Sequence, residues 1–180
     1  MFRRSLAAAA VVLALAAPAF AADSENLQLF RSVQKQVLQY THFTIFDDVN
    51  VQVDNGAVKL LGKVTMDFKR DDIEKRVRSV AGVTRVDNQL EVLPVSQFDD
   101  QLRLGIAQAI YSNPAFRGMV SLVNPPIHVI VEHGHVTLNG VVMNDMDRTI
   151  ARSIVGSFPA FSIRNDLKTE AEVKQELEKL

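Results

Sequence analysis

Three histidines in the second half of the chain are the residues best suited to binding a metal ion. His133 and His135 flank Gly134, His128 lies close before them, and Glu132 is the one carboxylate nearby. A zinc site needs three or four converging ligands, and the chain has no cysteine to complete the set. We therefore expect no metal and no cofactor, and we interpret His133 and His135 as exposed residues of a turn.

Short motifs of known catalytic chemistry are missing from the sequence. It contains no G-x-S-x-G, no phosphate-binding glycine loop, no H-E-x-x-H and no C-x-x-C. The lack of cysteine also excludes disulfides and a cysteine nucleophile. The formal net charge of −1 leaves no strongly basic footprint of the kind that general nucleic-acid binding requires. We expect a protein that is not an enzyme and does not bind nucleic acid.

Two loops combine aromatic and basic residues with apolar ones, over residues 40–46 and 115–123. Such a mixture suits a lipid headgroup boundary or a protein partner, although the same side chains could instead cap the core. The second loop has no counterpart of similar size in the first half of the chain. We therefore predict that Arg117 and at least two of its apolar side chains are exposed. The predicted lipid or partner contacts are Phe116, Arg117, Met119, Val120 and Leu122.

The first residues have the features of a secretory signal peptide. Arg3 and Arg4 precede an uncharged apolar run over residues 6–17, and Ala19-Phe20-Ala21 fits the small-x-small cleavage pattern. We expect a signal peptide over residues 1–21, cleavage before Ala22 and a periplasmic location. No later segment is long and apolar enough to span a bilayer, so the mature chain is expected to lack a transmembrane segment.

The remaining chain contains one pattern twice. Residues 53–64 and 131–142 share V-x-x-G-x-V-x-L-x-G-x-V at an offset of 78, and residues 86–90 match 163–167 at an offset of 77. The apolar stripes of the preceding helices match at an offset of 73. Each copy predicts helix, strand, strand, helix, strand, with a right-handed crossover that makes the second and third strands parallel.

The predicted fold class is therefore α+β. It consists of two tandem αββαβ modules, each a three-stranded mixed sheet with two helices on one face. We place the first module at residues 25–93 and the second at 96–168, followed by a short C-terminal helix at 169–180.

Four glycines and two asparagines are predicted to have structural roles. Gly56 and Gly134 lie in the hairpin turns, where a positive φ is needed. Gly62 and Gly140 lie on the inward rows of strands, and we expect each to make room for a helix. The asparagines also lie on inward rows, where a polar group must be hydrogen-bonded, so we predict buried amides bonded to loop backbone. They are Asn88 and Asn165.

Two tandem αββαβ units with this repeated motif and a later V-x-N-x-L resemble BON domains, a family named for bacterial osmotically induced and nodulation proteins. The resemblance covers about residues 25–168. It implies association with phospholipid at the envelope and a role in envelope integrity under osmotic stress, with anionic phospholipid or an envelope protein as partner. Two alternatives remain open: a periplasmic chaperone or protein-binding adaptor, and a module that binds cell-wall polysaccharide.

Overall fold

The structure is a computed structural model that describes residues 19–119, 121–122 and 124–177. The predicted signal peptide therefore lies outside the described residues except for Ala19, Phe20 and Ala21, which begin the first helix. Val120, one of the predicted contact residues, also lies outside them. In the described part of the chain, no helix combines the length and the apolar character needed to cross a membrane.

The first module has the predicted order of elements. The strand β2 is central: it pairs with β1 in antiparallel fashion, Val51 opposite Leu60, and with β3 in parallel, Leu60 opposite Asn88. The sheet is therefore mixed, as predicted. The elements are α1 (Ala19–Leu38), β1 (Asp48–Asp54), β2 (Ala57–Val64), α2 (Asp67–Arg78) and β3 (Arg85–Val92).

Both helices of the first module cover the same face of this sheet. Val33 and Val37 of α1 and Ile73 and Val77 of α2 are buried against one row of β2 side chains. The members of that row are Val58, Leu60 and Val64. Their alternation along the strand is what the period of two in the sequence predicts.

The second module repeats this plan with three additional short elements, a 3-10 turn, a second segment of the last strand and a C-terminal helix. Its elements are α3 (Gln97–Ser112), a 3-10 turn (Arg117–Met119), β4 (Ile127–Glu132), β5 (His135–Val142), α4 (Asp145–Val155), β6 (Ser162–Asn165), β7 (Lys168–Thr169) and α5 (Glu170–Leu177). Again β4 and β5 are antiparallel, and β6 is parallel to β5. The side chains of α3 that point inward, Leu102, Ile106 and Ile110, recur every four residues and are buried in the core.

The last strand of the second module is interrupted. We predicted one strand, but Leu138 faces Asn165 in β6 and Val141 faces Lys168 in β7, so two short strands continue in the same register along β5. Immediately after β7, a capping box begins α5: Thr169 accepts the backbone N–H of Glu172 at 3.2 Å, and Glu172 accepts the backbone N–H of Thr169 at 2.7 Å.

Candidate functional site

The predicted contact loop contains one residue that belongs to the core. Phe116 is fully buried in the cluster of the second module, so the prediction that it is exposed and contacts a ligand is wrong. Phe43 precedes it by 73 residues, the offset of the preceding helices, and packs against the core of the first module. The first copy therefore does have a counterpart, and burial of the phenylalanine ring is part of the repeated design.

Other residues of the loop face solvent. Leu122 is 52% exposed, Met119 is half-buried against the core, and Arg117 is exposed. Within the described part of the chain, Arg117 has no ion pair and no side-chain hydrogen bond. Of the three described apolar residues, Leu122 is therefore the one that is exposed, so Arg117 and Leu122 remain candidate contacts.

The loop also joins the two modules. Nδ2 of Asn124 donates to the backbone oxygen of Leu38 at 2.6 Å, at the end of α1. The Leu38 side chain is 39% exposed there. We call Leu38, Arg117 and Leu122 the loop surface.

A second exposed apolar feature is repeated at the junction of the second strand and the second helix of each module. Phe68 and Met146 occupy equivalent positions 78 residues apart, and both are exposed. Met66 and Met143, near the same junctions, are exposed as well. We call these four side chains the junction residues.

The hairpin turns have the predicted conformation. Asn55 and Gly56 have φ values of 47° and 80°, and His133 and Gly134 have 50° and 76°. Two successive positive φ angles define the type I′ turn, which matches the twist of a two-residue hairpin. His133 and His135 are exposed, and in the described part of the chain no group of three or more side chains is arranged to hold a metal ion.

Each turn is held by a side chain from the first helix of its module. Oδ1 of Asn26 accepts the backbone N–H of Asn55 at 3.0 Å. In the second module Asp99, which is fully buried, accepts the N–H groups of His133 and Gly134, both at 2.8 Å. Sequence reasoning missed this pair, although the offset of 73 between Asn26 and Asp99 was a detectable signal.

Glycine is required at the two strand positions for a reason other than the predicted one. A Cβ on Gly62 would lie 2.2 Å from the backbone oxygen of Asp48, and one on Gly140 would lie 1.8 Å from that of Pro126. Their φ values are +122° and +124°. Backbone at the start of the paired strand, or immediately before it, occupies the space next to each glycine, and no helix does, so the predicted helix contact is wrong.

The two asparagines hold helix backbone, not the loop backbone that we predicted, and they are half-buried, not fully buried. Nδ2 of Asn88 donates to the carbonyl of Arg70 at 3.1 Å, and Nδ2 of Asn165 donates to that of Arg148 at 3.0 Å. Each Oδ1 also accepts the N–H two residues further along. Asn88 additionally donates to Glu74 at 2.9 Å, and this bond is the main reason that the pKa of Glu74 lies below its usual value.

The modules meet along the free edge of β4. The backbone N–H of Val129 donates to the oxygen of Ile45 at 2.7 Å, and Nδ1 of His128 lies 2.6 Å from the oxygen of Asp47. Burial lowers the pKa of His128, which is half-buried here. The segment before β1 thus covers an edge that would otherwise expose unpaired backbone groups.

A buried ion pair shapes that segment. The carboxylate of Asp47 is fully buried and lies 2.7 Å from Nζ of Lys69 at the start of α2. It also accepts hydrogen bonds from the backbone and hydroxyl groups of Thr44 and Thr65. This network determines where the carbonyl of Asp47 meets the second module.

A polar cleft of about 470 Å³ lies between the modules. Two contacts cross it: Nδ2 of Asn139 donates to Asp48 at 2.7 Å, and Nζ of Lys63 lies 2.6 Å from Glu132. Burial raises the pKa of Asp48 above its usual value. His133 of the hairpin turn also lines the cleft, and it is exposed.

The fold and this site define a class: two αββαβ modules that contact each other through strand edges and loops. The family model of the BON domain matches residues 29–94 and again residues 99–171. The chain therefore belongs to the BON-domain family and contains two copies of the domain. The family is associated with the bacterial envelope and with membranes or protein partners, and its domains are generally non-catalytic.

Two solved structures are similar to this chain at low identity. One is the C-terminal domain of CdsD, a structural protein of the type III secretion system of Chlamydia trachomatis, at 16% identity and a TM-score of 0.35, covering 85% of this chain and 70% of that one. Another structure of CdsD from the same organism has 14% identity and a TM-score of 0.29, covering 84% and 97%. No curated protein matches the chain.

Proposed function

We propose that this protein is a non-catalytic periplasmic protein that associates peripherally with anionic phospholipid and supports envelope integrity under osmotic stress. Family membership supports the envelope setting. The signal-peptide pattern over residues 1–21 supports export, with cleavage before Ala22.

The loop surface is the observation that carries the lipid proposal. Arg117 offers a guanidinium that no carboxylate of the described chain neutralises, and guanidinium binds phosphate through two parallel hydrogen bonds. Leu38 and Leu122 are both exposed, and Asn124, two residues after Leu122, donates to the backbone oxygen of Leu38. Inserting one such side chain into the apolar layer contributes about 1.5–3 kcal/mol.

Net charge makes this binding depend on a local cation. Removal of residues 1–21 takes away Arg3 and Arg4, so the mature chain has 18 basic and 21 acidic residues and a formal charge of −3. An anionic membrane would repel such a chain as a whole. We therefore expect weak binding that requires Arg117 and decreases as salt screens the contact.

Co-sedimentation with vesicles tests the proposal. We expect the protein to bind vesicles of phosphatidylglycerol and phosphatidylcholine better than vesicles of phosphatidylcholine alone. The double variant Arg117→Glu, Leu122→Ser should bind at least about tenfold more weakly, a loss of ~1.4 kcal/mol. Arg85→Glu with Val95→Ser is the matched control, since both residues are exposed and lie outside the loop surface. Equal binding by the two double variants would contradict the role of the loop.

The junction residues favour a second candidate function, a protein-binding adaptor or chaperone. Both modules expose apolar side chains at the same place, although the fold does not bury them. In this case the protein should suppress aggregation of reduced α-lactalbumin without any lipid. The variant Phe68→Ser, Met146→Ser should lose that activity, while Arg117→Glu, Leu122→Ser should keep it. The opposite result would remove the adaptor candidate.

A further inference from the structure

Aromatic rings lie exposed beside the hairpin turn of the second module. Phe98 at the start of α3 and Phe161 just before β6 have ring centroids 6.0 Å apart, with 27° between the ring planes. The ring of His135 meets Phe161 edge-on, also at 6.0 Å. Phe161 is 74% exposed and Phe98 is 42% exposed. We call Phe98, His135 and Phe161 the aromatic platform.

The module fold does not need this platform. Phe161 lies over Gly134, where an added Cβ would come within 2.7 Å of its ring. In the first module Thr84 takes this place over Gly56, at 3.0 Å from the corresponding Cβ. The same turn is thus completed without any ring. The residues of the first module at the three platform positions are Glu25, Ala57 and Thr84.

The platform adjoins the polar cleft between the modules, and His135 belongs to both. The side chains of the cleft include two carboxylates, two cations, an amide and a hydroxyl. The two negative and two positive charges balance. Both cations are already paired: Lys63 contacts Glu132 and Glu91, and Arg164 contacts Asp166, which does not line the cleft. The six residues are Asp48, Lys63, Glu132, Thr137, Asn139 and Arg164.

We propose that the aromatic platform and the cleft bind a saccharide chain made of uncharged, hydroxyl-rich sugars. One face of a sugar ring presents C–H groups, which are attracted to the electron-rich face of an aromatic ring such as Phe161. The hydroxyl groups at its rim both donate and accept hydrogen bonds, so they suit a cleft whose carboxylates accept, whose cations donate, and whose amide and hydroxyl groups do both.

The charge balance of the cleft distinguishes this ligand from others. An anionic lipid surface would require an excess of cations, and a basic peptide would require an excess of carboxylates; the cleft offers neither. Its volume of about 470 Å³ lies within the usual range for small-molecule sites. The platform is also separate from the loop surface, so the two proposals stand on different residues.

The absence of tryptophan from the chain permits a direct test. In the variant Phe161→Trp, the single indole replaces the exposed ring of the platform and reports stacking by its fluorescence. We expect a saturable change in emission when the tetramer of N-acetylglucosamine or cellotetraose is added. Phe68→Trp, which places an indole at another exposed phenylalanine, is the matched control and should not respond.

Isothermal titration calorimetry on the tryptophan-free protein completes the test, because it measures saccharide binding directly. Phe161→Ala should weaken saccharide binding at least tenfold and leave thermal unfolding nearly unchanged, because the ring is largely exposed. Arg117→Glu with Leu122→Ser should bind saccharide normally, so failure of the lipid proposal leaves this one intact. The saccharide proposal is overturned if neither tetramer changes the emission of Phe161→Trp. It is also overturned if a self-associated dimer covers the rings and Phe161→Ala abolishes that dimer.

Discussion

Replacing Asp47 by asparagine is the most severe test of the contact between the modules. The carboxylate accepts the backbone and hydroxyl groups of Thr44, both at 2.8 Å, and those of Thr65 at 2.8 and 2.9 Å. Nζ of Lys69 lies 2.7 Å away, and both charged side chains are buried. In Asp47→Asn one acceptor oxygen becomes an NH₂ group that must face N–H and O–H donors, and the ammonium of Lys69 loses its counter-charge.

The expected loss follows from the burial of the pair. Removing one partner of a buried ion pair costs about 3–5 kcal/mol, because the other charge remains in the interior without compensation. With a urea dependence of about 2 kcal/mol per molar, a loss of about 4 kcal/mol lowers the unfolding midpoint by about 2 M urea. Circular dichroism during urea titration measures this shift.

A double substitution separates the ion pair from mere disruption of the loop. Asp47→Asn with Lys69→Met removes both charges, so its free energy of unfolding should recover most of the loss seen in Asp47→Asn alone. If Asp47→Asn lowers the free energy of unfolding by less than about 1 kcal/mol, then Lys69 pays no burial penalty for losing its counter-charge, and the reasoning is refuted. If the double variant is as unstable as the sum of the single ones, the attribution to charge is refuted.

The remaining predictions concern the core, a buried histidine and export. Phe116→Ala should lower the free energy of unfolding by about 3–5 kcal/mol, whereas Leu122→Ala should change it by less than about 0.5 kcal/mol; urea unfolding measures both. Because burial lowers the pKa of His128, the unfolded chain takes up its proton first, and stability should fall as the pH drops below about 6.5. His128→Gln should flatten this dependence, as measured by thermal unfolding across pH. Ala19→Glu should block signal-peptide processing, and an intact mass that includes Met1 in the exported wild type would contradict cleavage.

Local pattern was enough to predict the elements and the repeat. The alternation of valines in β1, the Asn55-Gly56 turn and the four-residue stripe of α3 each depend on neighbours along the chain. They predicted the mixed sheets and the helices on one face because the same preferences operate in both copies. The interruption between β6 and β7 was not predicted, since it affects a strand whose apolar pattern continues across the break.

The interactions that escaped prediction are those between distant segments. Asp47 lies in a loop with no motif, and its partners Thr65 and Lys69 meet it only after β2 and α2 have packed. The edge contact of Ile45 with Val129 likewise depends on how two finished modules dock. Phe116 was misassigned for a simpler reason, because its counterpart Phe43 was counted with a loop and not with the core.

Comparison of the two copies separates residues that build the module from residues that can recognise a ligand. Features present in both copies hold the fold: Asn88 and Asn165 bond helix backbone, and Asn26 and Asp99 hold the turns. Selection for folding alone explains such repeated polar contacts, since each gives a backbone group a hydrogen-bond partner.

Features present in one copy need another explanation. The first module completes its turn without aromatic rings, yet the second exposes Phe161 and Phe98 there, at a cost in solvation that no core contact offsets. Arg117 is similarly specific to the second copy, because Thr44 occupies the equivalent position 73 residues earlier. These two residues, each found only in the second copy, are proposed to bind different ligands: Arg117 binds phosphate, and Phe161 binds the face of a sugar ring. A BON protein with two such surfaces would bind membrane and polysaccharide independently, and the loop variant and the platform variant should therefore each abolish one binding activity and leave the other intact.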